Sequence, residues 1–126
     1  MPNIELILAR SLAAHLSVQT FLADAEGRFV FFNEAAEMMT GRSMETEADF
    51  GPEELLEMLD PRTDDGRAVT ASELPLPRAI QDGVPAHLHA VSGKDDGKRY
   101  VATAVPLLDH DGMTFGALMF LFEDKR

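Results

Sequence analysis

The chain has 126 residues, 45% hydrophobic and 26% charged, with 11 basic against 22 acidic side chains and a net charge of −11. That is enough for one domain with a real core. The acidity excludes nucleic acid as a partner, because a phosphate backbone calls for clusters of Lys and Arg. There is no Cys, which removes disulfides, thiolate metal sites and cysteine nucleophiles and fits a cytoplasmic location. The longest apolar run, Phe115 to Phe122, is too short to cross a bilayer, so no membrane partner is expected. No secretion signal opens the chain.

The first expected element is a helix over NIELILARSLAAHL, Asn3 to Leu16. Asn3 can cap it and Glu5 suits its first turn. Ile4, Ile7, Leu8, Leu12 and Leu16 form one stripe, widened by Leu6, Ala9 and Ala13. A helix this apolar needs a surface to cover, in its own domain or on a second copy. Next comes FLADAEGRFVFFNEAAEMMTG, Phe21 to Gly41. It reads as strand, turn, strand and helix. Asp24 can bond the backbone that follows it, and Gly27 supplies a positive φ. Asn33 caps the helix and Gly41 ends it.

Pro52 opens a further helix, EELLEMLD, with Glu53 and Glu54 at its positive end and Pro61 stopping it. The stretch DPRTDDGR is polar and rich in turn residues, so a loop is expected. In SELPLPRAIQDG, Pro75 and Pro77 fit a first helical turn, whose N–H groups lack intrahelical partners, and Gly83 ends the helix. The last third changes period. Residues 86–92, 98–108 and 113–124 read as three strands. They are joined by the hairpin turns GKDDG and DHDG, so neighbours should pair antiparallel. In RYVATAVP, Val101 and Val105 share one face while Tyr100, Ala102 and Ala104 share the other. Neither face is polar, so both need cover. The middle helices can cover one face. The N-terminal helix or a dimer partner must cover the other.

This order gives an α+β domain: a five-stranded antiparallel sheet with short helices on one face and an N-terminal flanking helix. Residues 1–17 form the flanking helix, a cap or dimerisation element, and residues 18–126 the core domain. The segment FLADAEGRFVFFNEAAEMMTGRS resembles the opening of a PAS domain. DGRAVTASELPLPRAIQDG looks like the middle of many bacterial PAS sensors, and VATAVPLLDHDGMTFGALMFLFED is similar to the closing hairpin. Each piece is common by itself, but three in order are specific. The resemblance implies that Asp24, Gly27, Asn33 and Gly41 are structural. It places function between the middle helices and the sheet, where some PAS domains hold a small molecule and others hold nothing. Many PAS domains close their last strand with Asp-Ile-Thr. Here Asp124-Lys125-Arg126 stands instead, as in an excised sensor or a small stand-alone domain.

Met38, Met39, Met44 and Met58 gather in the helical layer and Met119 lies in the last strand. Met fills irregular space and adapts to varied guests. With Ala102 and Ala104 leaving room on the sheet, a cavity lined by Met39, Met58, Arg78, His87, Tyr100, Ala102, Ala104 and Phe120 is the expected ligand site. Tyr100, His87 and Arg78 are its polar candidates. An ordinary core filled by flexible Met competes with this reading. A homodimer interface is expected over Ile4, Ile7, Leu8, Leu12, Val101 and Val105. His87 and His89 share a strand face and could reach one metal. No further ligand pattern accompanies them, so ordinary strand histidines are expected. The carboxylates Asp64-Asp65, Asp95-Asp96, Asp109 and Asp111 sit in turns, which explains them. Any cofactor is unknown. A cysteine-linked flavin is excluded, and the resemblance makes haem unexpected, since PAS haem sensors typically carry the proximal His on a middle helix and SELPLPRAIQDG contains none. No catalytic motif is present.

The expected function is that of a sensory domain, not an enzyme. It binds a small, mostly apolar ligand or a protein partner and relays its state to an output domain such as a kinase or a transcription factor, as in two-component systems. The alternative is a ligand-free dimerisation module. A small enzyme using the same cavity is the third reading.

Overall fold

The computed structural model describes residues 4–43, 50–94 and 97–124. The expected Asn3 cap, Met44, the Asp95-Asp96 pair and the closing Lys125-Arg126 lie outside them. In chain order the elements are helix α1 (Ile4–Ala14), strands β1 (Gln19–Asp24) and β2 (Phe29–Phe32), and helices α2 (Glu34–Thr40) and α3 (Pro52–Leu59). Strand β3 (Pro61–Arg62), helix α4 (Pro75–Asp82) and strands β4 (Ala86–Ser92), β5 (Arg99–Leu108) and β6 (Thr114–Asp124) follow. A short 3-10 turn, Ala71–Glu73, leads into α4.

The strands form one sheet in the order β2-β1-β6-β5-β4-β3, and every neighbouring pair is antiparallel. The five long strands stand where the residue pattern puts them. The sixth, β3, is an addition: two residues expected to be loop pair with Val91 and Ser92 on the edge of β4. A strand this short has no pattern of its own, and its pairing partner decides its state.

Local chemistry explains three of the reversals. Asp24 Oδ1 accepts the amides of Glu26 and Arg28, both at 3.0 Å, and Gly27 sits at φ 84°. Asp109 repeats the device, accepting Asp111 N at 2.9 Å and Met113 N at 3.0 Å. Thr63 makes a third version, its hydroxyl accepting Arg67 N at 3.1 Å. In each case a short polar side chain holds the amides that the turn leaves unpaired.

Side chains alternate between the two sheet faces. Phe21, Ala23, Ala102, Ala104, Ala117, Met119 and Leu121 point to the inner face, where α2, α3 and α4 close the main core. Phe21 stacks at tilted angles on Phe29 and Phe32, at centroid distances of 5.0 and 5.8 Å. Such pairs add about 0.5–1.5 kcal/mol each beyond their burial. The outer face carries Leu22, Leu118, Phe31, Leu107 and Phe120, and α1 packs onto it through Leu6, Ala9 and Ala13. The small alanines let the helix sit close. The wider stripe turns away instead: Ile7, Leu8 and Leu12 are 53%, 64% and 57% exposed. Ile4 opens the helix, and its side chain lies outside what the structure describes.

Asn33 is more than a cap. Its Oδ1 accepts Ala36 N at 3.0 Å, as a helix cap should, and also Thr20 N at 3.2 Å. Its Nδ2 donates to the carbonyls of Ala13, Leu16 and Val18 at 3.1, 3.1 and 2.8 Å. One buried amide thus ties together the end of α1, the start of β1 and the start of α2.

Candidate functional site

A cavity of about 50 Å³ lies between α3, the approach to α4 and the inner face of β4–β6. Helix α3 presents Pro52, Leu55, Leu56 and Leu59 to it, and Leu74, Pro75 and Leu76 come from the start of α4. The sheet supplies Leu88 and Ala90 from β4, Tyr100 and Ala102 from β5, and Met119 and Leu121 from β6. Two prolines on this wall have local reasons. Pro52 and Pro75 occupy first-turn positions, where the missing N–H is no loss.

The wall is almost wholly apolar. Ser92 reaches it, but its hydroxyl donates to the Leu59 carbonyl at 2.8 Å and accepts the Lys94 amide at 3.2 Å. Among the described residues no buried side-chain nitrogen or oxygen lacks a hydrogen-bond partner. A guest here would be held by shape and dispersion, with few polar anchors.

Of the residues expected to line the cavity, Tyr100 and Ala102 do. The others are corrected as to place. Met39 and Met58 pack against the main core without reaching the cavity wall. Ala104 is fully buried opposite Ala86 and Met119, in solid core. Arg78 is exposed on α4. His87 and Phe120 belong to the opposite face: both pair with Thr103, and His87 Nδ1 meets the Thr103 hydroxyl at 2.9 Å. Period-two alternation explains this, since Met119 and Leu121 point inward and Phe120 between them cannot. Val101 and Val105 lie on the outer face, opposite Phe122 and Leu118. The leucines of α3 are the wall that the residue pattern did not single out.

Among the described residues no group of three or more His, Asp or Glu side chains could hold a metal ion, and no helix is long and apolar enough to cross a membrane. Among the described residues, the one strongly shifted carboxyl is outside the cavity. Glu73 is held down to about 2, first by a two-pronged bond from the Arg67 guanidinium and then by the Thr70 amide and hydroxyl. That cluster sets the path of the chain just before Leu74 and Pro75 turn into the cavity wall.

No model of a protein family and no curated protein sequence matches the chain. Solved structures do match. The Rhodobacter sphaeroides LOV protein superposes with a TM-score of 0.68 at 16% identity, over 100% of this chain and 70% of that one. The PAS domain of Bordetella pertussis BvgS gives 0.60 at 16% identity, over 97% and 87%. VqmA bound to DPO gives 0.60 at 19% identity, over 98% of this chain and 58% of that one. The chain has a PAS fold.

Proposed function

We propose that this chain is a sensory module whose cavity between α3 and the inner sheet face takes a small, largely apolar molecule and relays its presence to an output domain such as a kinase or a transcription factor. The observation that carries the reading is the lining: an internal space walled by leucines, prolines, Ala102 and Met119, with its serine already bonded to the backbone. A filled core would have placed side chains there. VqmA, a structural neighbour of which the match spans 58%, is bound to DPO, and that likeness supports looking for a bound molecule here. No catalytic step is assigned. The cysteine-free composition supports a cytoplasmic setting.

Native mass spectrometry of the protein purified from cells would reveal a co-purified guest. Titration with indole, followed through the methyl groups of Leu55, Leu88, Met119 and Leu121, tests the cavity directly. The expected result is a saturable shift of those methyls that Ala102→Val removes while the melting temperature stays level or rises, because the added methyls occupy the space. No co-purified mass together with no methyl shift would overturn the reading.

A second reading rests on a different observation. The exposed Ile7, Leu8 and Leu12 of α1 stand beside an outer sheet face whose Phe122 is 44% exposed. In this reading residues 1–17 serve as a flanking element through which two copies associate, and the symmetric pair is the commonest closed arrangement.

A further inference from the structure

The cavity, at about 50 Å³, is far smaller than the roughly 150 Å³ of an engineered apolar cavity that binds benzene. A guest of that size therefore requires one wall to yield. The sheet wall is fixed by the ladders joining β4, β5 and β6. Helix α4 is anchored by Pro75, Leu76 and Ala79, all buried. Helix α3 buries Leu55 alone, so it is the wall least held by its side chains.

The carbonyl end of α3 is held in another way. The last carbonyls of a helix have no partners within it. Here Lys94 Nζ donates to the Glu57 carbonyl at 2.9 Å, Ser92 Oγ to that of Leu59 at 2.8 Å, and the Gly93 amide to that of Asp60 at 2.8 Å. Three consecutive residues leaving β4 thus clasp the end of α3, and Lys94 brings a positive charge to the negative end of the helix. The approach is close. A Cβ on Gly93 would run into the Asp60 carboxylate and lie 3.1 Å from its carbonyl oxygen. The opposite end of α3, at Gly51, has no side-chain cap.

We infer that α3 is the moving wall of the cavity, pivoting on the Ser92–Gly93–Lys94 clasp, and that the clasp sets how fast an apolar guest enters and leaves. The inference rests on the cavity reading above for its guest, but the motion can be measured without one. Lys94→Met keeps the aliphatic stem and removes the donor. Gly93→Ala drives a wedge into the contact.

Hydrogen exchange on the intact chain gives the first test. In both variants the amides of Leu55, Leu56 and Glu57 should exchange about tenfold faster, the equivalent of one charge-assisted hydrogen bond, while Ala79 and Ile80 of α4 stay unchanged. Indole binding followed by NMR gives the second. Association and dissociation should both quicken in Lys94→Met, with the Kd altered less than either rate. Unchanged exchange in α3 overturns the inference, and so does equal acceleration in α3 and α4, which would report general loosening. If the wild-type protein does not bind indole but α3 still loosens selectively, the cavity reading has failed and the clasp stands.

Discussion

The two faces of the sheet are finished differently. The inner face is closed by the chain's own helices, and its core residues run from Phe21 and Ala104, fully buried, to Ala102 at 9% exposure. The outer face receives one helix, which seats itself through Leu6, Ala9 and Ala13 and leaves its larger side chains facing outward. The inner face is apolar and the outer one largely so, His87 and Thr103 being among its residues, so the contrast lies mainly in cover. An apolar face that a chain closes by itself makes a core, and inside a core a small void becomes a pocket. An apolar face that a chain half-closes makes a contact surface. The same strands thus pass from a closed face to a half-closed one across the thickness of one sheet.

The largest effect is expected at the residue that joins the two sides. Asn33 bonds both to the end of α1, which covers the outer face, and to α2, which covers the inner one. Loss of a helix cap by itself costs about 1 kcal/mol. Asn33→Ala also strands the carbonyl of Leu16 and the amide of Thr20 and takes one of two bonds from the carbonyls of Ala13 and Val18, and a buried group left unpaired costs about 1–3 kcal/mol. Asn33→Ala should therefore destabilise by about 3 kcal/mol in urea unfolding. A loss near 1 would mean that the links to α1 and β1 contribute little and the two faces are held independently.

The second prediction sharpens the contrast itself. Leu8→Glu combined with Leu12→Glu puts charge on the outward stripe of α1 and touches nothing in the core. Folding stability should change by no more than about 0.5 kcal/mol, as for other surface substitutions. Self-association in sedimentation experiments should weaken at least about tenfold, or 1.4 kcal/mol. If association is unaltered, or was never present at tens of micromolar, the outer face is not where copies of this chain meet.

How far the sequence alone reveals these two faces differs between them. The turn and cap residues are legible because their chemistry is local: Asp24, Gly27, Asn33, Gly41, Pro52, Pro75 and Gly83 act within a few positions of themselves. The split of β5 into Val101 and Val105 against Ala102 and Ala104 is legible for the same reason. The orientation of β6 is not. Its run from Phe115 to Phe122 is apolar on both faces, so nothing in the residues says whether Met119 or Phe120 points inward. Register with β5 decides it, through the pairing of Thr103 with Phe120. The clasp on α3 and the extra bonds of Asn33 are invisible for a stronger reason. Each ends on a backbone carbonyl or amide distant in the chain, and a backbone group leaves no mark on the sequence.

The smallest effect concerns the loop that leads into the cavity wall. The Glu73 carboxyl stands at about 2, below its ordinary 4.5, chiefly because Arg67 bonds to its charged form. A depressed carboxyl stabilises the fold above its ordinary value, and that contribution disappears as pH falls through about 2. Carbon-detected NMR should follow Glu73 titrating there, and Glu73→Gln should abolish the low-pH step while moving the neutral-pH melting temperature only slightly. An ordinary Glu73 midpoint would show that the Arg67 contact does not persist in water.

The strand order has a consequence for chain entropy. The β1–β2 and β5–β6 hairpins are each closed by a turn of a few residues that carries its own side-chain clamp. Between them runs the seam of β1 with β6, which pairs Gln19 with Leu121 and Asp24 with Gly116 and so encloses most of the chain in a single loop. Because the cost of closure grows with the logarithm of loop length, drawing that seam together costs about 3 kcal/mol more than closing a five-residue turn. The sheet is therefore a β1–β2 hairpin and a β4–β5–β6 meander sewn together by the long-range join of β1 with β6, with β3 added at the far edge, and the join includes one close approach. There a Cβ on Gly116 would collide with the Ala23 carbonyl oxygen.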